Sequence, residues 1–247
     1  GAHAALLAGK IPLALTRAIR ASELAPTDLT LRSHLALIHA SAGQSEQALG
    51  LIKELSTRKL EPVSAGFLGN ACSKLEDHAN AERFFTVATA GAAPSPELLY
   101  NLAMSQRFLG KLKECEVSLD ETLRISPGHA QAQLARANLR SALTENNHVD
   151  EIRRLLASTE SWRDRVMLQF ALGKELEDLK CWEQSFKYYY NGCKLQRSHI
   201  DYSPADELDA IEHLRRTADR LRGQPAAGVS SSDQPQPGFI MGLPRIG

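Results

Sequence analysis

The chain has 247 residues, of which 43% are hydrophobic and 23% charged, so it has the material for a continuous globular core. Its 29 basic and 29 acidic residues cancel, which removes any global field toward nucleic acid or an anionic membrane and leaves only local patches. No apolar run approaches the ~20 residues of a membrane-spanning helix, and no charged-then-apolar signal peptide opens the chain. The expectation is a cytoplasmic protein without nucleic-acid or membrane partners. The first residues are Gly1-Ala2-His3 without Met, so the natural start is expected upstream. Cys72, Cys115, Cys181 and Cys193 form no CxxC pair and three fall on helical positions, which suits a reduced compartment. The histidines are not spaced to complete a zinc site with them.

In chain order the elements form a repeat. The first segment reads Gly9, Ala14, Ala18, Ala21 and Pro26. The second reads Gly43, Ala48, Ile52, Leu55 and Leu60 before Pro62; the third Glu76, Ala81, Phe85, Ala88 and Ala93; the fourth Gly110, Cys115, Leu119, Thr122 and Pro127. Gly9, Gly43, Glu76 and Gly110 are spaced by 34, 33 and 34 residues. A small residue five positions after each turn lets two antiparallel helices approach, and the larger residues that follow complete a helical stripe. Glycine at the turn suits the left-handed backbone that ends a first helix. Pro26 and Pro127 end second helices. The first helices carry their own close-contact pairs, Leu35-Ala36, Leu68-Gly69 and Leu102-Ala103.

The first repeat keeps only the end of its first helix, Gly1 to Ala8, so the array is expected to be longer in the parent protein, with an apolar face at this end. A degenerate fifth repeat pairs a helix over Ala130 to Leu143 with one over Val149 to Ala157, across the polar turn Thr144 to Asn147. The sixth has Leu172-Gly173, a turn at Lys180, and Ser185, Tyr189 and Gly192 in the second helix. A helix over Pro204 to Arg222, polar on most of its surface, reads as a solubilising cap. Linker composition follows over 223–237.

Period and pattern resemble the tetratricopeptide-repeat (TPR) family. The resemblance implies an all-α fold: a right-handed superhelix of antiparallel helix hairpins over residues 1–222, with a C-terminal capping helix and then an irregular tail. It implies a protein or peptide partner on the concave face built from first helices. Transferring the family's groove positions gives Asn70, Lys74, Tyr100, Asn101, Met104, Arg107, Asn138 and Lys174. Asparagine amides there can bridge a backbone N–H and C=O. The chaperone-tail receptors of the family add a cationic clamp. Asn70 and Asn101 occupy its two Asn places, but Gly66, Gln131 and Ala135 replace its Lys and Arg positions, which argues against that partner.

The last ten residues, Gly238 to Gly247, resemble the opening of the sulfotransferase family. TPR–sulfotransferase fusions have a short strand running into a phosphate loop of the form Gly-x-Pro-Arg-Ser-Gly-Thr. Phe239 to Met241 match the strand, and Gly242, Pro244, Arg245 and Gly247 match the loop; Ile246 departs from it. Such a loop aims backbone N–H groups and a helix N-terminus at phosphate. Phe170 to Leu179 and Tyr188 to Arg197 also look like the last repeat of these fusions. The resemblance implies a parent that transfers a sulfuryl group from 3′-phosphoadenosine 5′-phosphosulfate, its catalytic groups beyond residue 247. No cofactor and no catalysis are expected of the 247 residues themselves. The apolar tail and the N-terminal repeat face offer routes to self-association.

Other constellations carry less. His34 and His39 are five apart, off the spacing of a metal-binding helix face, and read as solvated or groove residues. Trp162, Trp182, Tyr188, Tyr189 and Tyr190 read mostly as core and helix-pair contacts.

Overall fold

The computed structural model describes residues 1–91, 94–201 and 203–222. Among them are thirteen α-helices and no strand. The chain divides into two compact units, Gly1–His199 and Ile200–Gly247.

The first unit is built from hairpins. Helices α1 (Ala2–Leu7) and α2 (Ile11–Leu24) form the first, α3 (Leu29–Ser41) and α4 (Ser45–Leu55) the second, and α5 (Pro62–Lys74) and α6 (His78–Thr89) the third. Then come α7 (Pro96–Phe108) with α8 (Leu112–Ile125), α9 (Ala130–Ala137) and α10 (Val149–Ser158), and α11 (Trp162–Asp178) with α12 (Trp182–Arg197). Each of the first four hairpins packs on the next, mainly through its second helix on the following first helix and, for α3 and α5, through the first helices directly.

Five of the six turns expected from the sequence, all but Thr144 to Asn147, have left-handed backbone: φ is 69° at Gly9, 73° at Gly43, 61° at Glu76, 74° at Gly110 and 60° at Lys180. Each makes the same pair of closing bonds. The N–H one residue past the turn reaches five residues back, as in Lys10 to Ala5 (2.9 Å), Asp77 to Cys72 (3.0 Å) and Cys181 to Leu176 (2.9 Å). The turn residue's own N–H bonds three residues back, as in Glu76 to Ser73 (3.2 Å). This is the Schellman closure, which satisfies carbonyls that a helix end would otherwise orphan.

The close-approach residues are where the repeat places them. Ala14, Ala48, Ala81 and Cys115 are each 0% exposed. The first-helix partners obey a size rule. Gly69 faces Phe85 and Gly173 faces Tyr189: a Cβ built on either would sit 2.6 Å and 2.9 Å from the ring. Sixteen residues separate the members of both pairs, and at the same separation Ala36 has Ile52 and Ala103 has Leu119. Glycine thus stands where the partner is aromatic, alanine where it is aliphatic.

The fifth repeat departs from expectation. α9 ends at Ala137, not Leu143, and α9 and α10 each pack on α11 while making little direct contact. Carboxylates of α11 hold the intervening segment. Asp178 accepts from the Ala142 N–H at 2.9 Å and the Lys174 ammonium at 2.5 Å. Buried Glu175 accepts from the His148 N–H at 2.8 Å and its Nδ1 at 3.0 Å. Buried Arg136 reaches Glu151 at 3.2 Å and Asp120 at 3.7 Å. This polar network lies beside an apolar core in which Ala130, Ala137, Val149 and Ile152 pack with α11.

In the second unit, α13 (Pro204–Arg222) forms over the residues read as a polar helix. Ion pairs Glu212–Arg215, Glu212–Arg216 and Asp219–Arg222 run along it. Ala93, the 223–237 linker, and the tail with Gly242, Pro244, Arg245 and Gly247 lie outside the described residues.

Candidate functional site

First helices α1, α3 and α5, with Ile11 at the start of α2, enclose an open cleft of about 610 Å³. Leu6, Leu7, Ile11 and Leu37 supply apolar wall; His3, Ser41, Asn70, Ser73 and Lys74 supply polar groups. Two of the eight expected groove residues, Asn70 and Lys74, line it. A third is joined to it, because Asn101 Nδ2 donates to Asn70 Oδ1 at 3.0 Å across α5 and α7.

The other five are placed differently. Tyr100 is half-buried with its ring 5.1 Å from that of His129, and burial raises its hydroxyl pKa against the pull of Arg107. Met104 packs against the core between α7, α8 and α9. Arg107 is exposed near the end of α7. Asn138 bonds the Leu134 carbonyl of its own helix at 2.9 Å, and Lys174 is committed to Asp178. Neither lines the cleft, and Lys174 belongs to the fifth-repeat network through Asp178.

The cleft residues missing from the sequence reading share repeat columns with those it found. His3, Leu37, Asn70 and Met104 stand 34, 33 and 34 residues apart, as do Leu7, Ser41, Lys74 and Phe108. The signal was the column, read backward through the first two repeats.

Histidines 34 and 39 are corrections: both are buried, at 8% and 9% exposure. The His34 ring packs 4.6 Å from Phe67 and 5.4 Å from His3. Burial, reinforced by His3, lowers its pKa and favours the neutral ring. His39 pairs its Nδ1 with Gln44 Oε1 at 2.6 Å. The aromatic cluster divides. Tyr189 packs on Gly173, and burial followed by its bond to Glu177 pushes its pKa up to about 12. Trp182 and Tyr190 are exposed, at 62% and 55%. All four cysteines are free thiols. Burial, with Asp77 adding to it, pushes Cys72 up to about 12, which suppresses the thiolate.

No protein-family model and no curated protein matches the sequence. Solved structures do match. The chain is similar to BtubC from P. vanneervenii, with a TM-score of 0.54 and 16% identity over 79% of this chain and 92% of that one. It is similar to a chain of the APC/C hetero-tetramer Cut9–Hcn1, with a TM-score of 0.53 and 18% identity over 69% of this chain and 35% of that one. It is also similar to YrrB, a TPR protein with an unusual peptide-binding site, at 0.51 and 15% over 74% and 93%. The fold is the TPR superhelix. At these identities the likeness establishes the fold alone, and the TPR cleft must be argued from its own residues. Among the described residues, no helix is long and apolar enough to cross a membrane.

Proposed function

We propose that this chain is a binding scaffold that holds an extended peptide segment in the cleft of α1, α3 and α5. The observation that carries the reading is the Asn70–Asn101 pair at the cleft's polar side. An asparagine side chain has two donor hydrogens and one acceptor oxygen. Once Asn101 Nδ2 has donated to Asn70 Oδ1, the pair keeps the Asn70 amide donors and the Asn101 oxygen. One donor and one acceptor side by side match the C=O and N–H of a peptide backbone. The apolar walls take one or two side chains, and Lys74 favours an acidic group beside them. YrrB, whose fold this chain shares, is described as having a peptide-binding site.

Selection from a random peptide display library on the full chain tests the proposal. Enriched peptides should lose about tenfold in affinity on Asn70→Ala, the worth of one or two hydrogen bonds. They should lose more on Leu7→Asp, which puts a charge on the exposed part of the apolar wall. Peptides that bind both variants as well as the wild type would refute it.

A second reading concerns the parent protein. Gly242, Pro244, Arg245 and Gly247, after a repeat of the fusion subtype, support a sulfotransferase domain that follows the scaffold, with 3′-phosphoadenosine 5′-phosphosulfate as its cofactor. The scaffold would then present the acceptor, and a cytoplasmic setting would suit it. The downstream reading frame is the test: Ser or Thr followed by a helix-forming stretch supports this reading, and a stop codon removes it.

A further inference from the structure

A second concavity lies between the α4–α5 link and α6, on second-helix surface away from the first helices of the cleft. It is a pocket of about 370 Å³. Its floor is apolar: Leu60, Phe84 and Val87. Its rim carries Arg58, Lys59 and Arg83, and no acidic residue lines it. The Arg83 guanidinium lies over the Phe84 ring, 4.7 Å from its centroid, which holds that charge at the pocket.

The three cations make no ion pair among the described residues, and the carboxylates nearest Arg58 on α4 and Arg83 on α6 are engaged elsewhere. Glu54 of α4 accepts from both terminal guanidinium nitrogens of Arg32, Nη1 and Nη2. Arg58 is near enough to help lower the Glu54 pKa, after the dominant Arg32 hydrogen bond, but forms no contact pair with it. Glu82 of α6 accepts from Lys111 at 2.6 Å. In a chain of zero net charge, three cations without a contact ion pair around one apolar depression are a local field with a shape.

We infer that this pocket is a second docking site, for an acidic peptide segment that carries an aromatic or large aliphatic side chain. The apolar side chain would rest on Phe84, Val87 and Leu60 while flanking carboxylates meet the three cations. Apolar contact supplies the anchor, and charge supplies partner choice and capture rate. The site is independent of the peptide cleft and shares no residue with it.

Fluorescence anisotropy on the full chain tests this, with labelled Glu-Glu-Phe-Glu-Glu as the probe. Saturable binding is expected that weakens on going from about 50 mM to about 300 mM salt, as exposed charge pairs are screened. The Lys59→Glu/Arg83→Glu variant should lose at least about tenfold, and the milder Arg58→Gln/Arg83→Gln variant a smaller but measurable factor, with helicity unchanged by circular dichroism because these side chains are exposed. Asn70→Ala should leave this binding intact. Unsaturable binding, equal binding of Lys-Lys-Phe-Lys-Lys or of Glu-Glu-Gly-Glu-Glu, indifference to both charge variants, or loss on Asn70→Ala would each overturn the inference.

Discussion

Replacing Gly69 by Ala adds one methyl group where the structure has no room for it. The new Cβ would lie 2.6 Å from Phe85 Cδ1 and Cε1, about 1 Å inside ordinary carbon–carbon contact. Phe85 is 0% exposed and cannot swing outward, so α5 and α6 must separate or the ring must leave its rotamer. Overpacking of this kind costs about 1–3 kcal/mol. Alanine returns roughly 1 kcal/mol through better helix propensity. The net expectation is a loss of about 0–2 kcal/mol, although a propensity scale alone predicts a gain. Phe85→Leu should relieve the clash by restoring the small-aliphatic pairing of Ala36 with Ile52 and Ala103 with Leu119. Urea unfolding followed at 222 nm, over all four members of the cycle, should give a coupling of at least about 1 kcal/mol. A Gly69→Ala protein more stable than wild type, or additivity within about 0.3 kcal/mol, would refute the size rule.

Other predictions follow from the turns and the fifth repeat. Glu76→Gly and Lys180→Gly should each stabilise by about 0.5–1 kcal/mol, because both residues sit at φ near 60° where a side chain costs about 1–2 kcal/mol. Gly110→Ala should do the reverse, and thermal melts of the three variants would check both signs. Glu175 is pushed up by burial but pulled further down by the His148 side-chain and backbone hydrogen bonds, then by the charges of His148 and Arg136. With its folded pKa below the unfolded value, its contribution is complete above about pH 4.5 and is lost as pH falls through the lowered value. Glu175→Gln should therefore cost about 1–3 kcal/mol at pH 7, with the gap to wild type narrowing in acid unfolding below pH ~4. A constant gap across that range would contradict the assignment.

The turns and seams were legible in the sequence because each rests on local chemistry repeated at a fixed period. Gly9, Gly43 and Gly110 mark left-handed backbone directly, and the period carried the same conformation to Glu76 and Lys180, where residue type alone would not suggest it. The end of α9 was not legible. Its continuation to Leu143 looks helical, but the segment after it is held by Glu175 and Asp178, which reach back 27 and 36 residues to backbone N–H groups at His148 and Ala142. Asp178 also diverts Lys174 from the groove. The cleft was half legible. Asn70, Lys74 and Asn101 stand out as polar residues in the third and fourth repeats, whereas its apolar wall comes mostly from α1 and the start of α2, where the repeat signal is weakest, with Leu37 of α3. The cationic pocket was hidden because Arg83 lies more than twenty residues from Arg58 and Lys59, and charge counts over the chain average it away.

The central claim is that the first-helix cleft is where a partner binds. Amide hydrogen exchange of the full chain, with and without a saturating display-selected peptide, tests it most directly, since bound segments lose local opening. Slowed exchange is expected in α1, α3, α5 and the start of α7, around Leu6, Leu37, Asn70 and Asn101, with α10 and α12 unchanged. Protection confined to the second helices, or spread evenly over all hairpins, would contradict it.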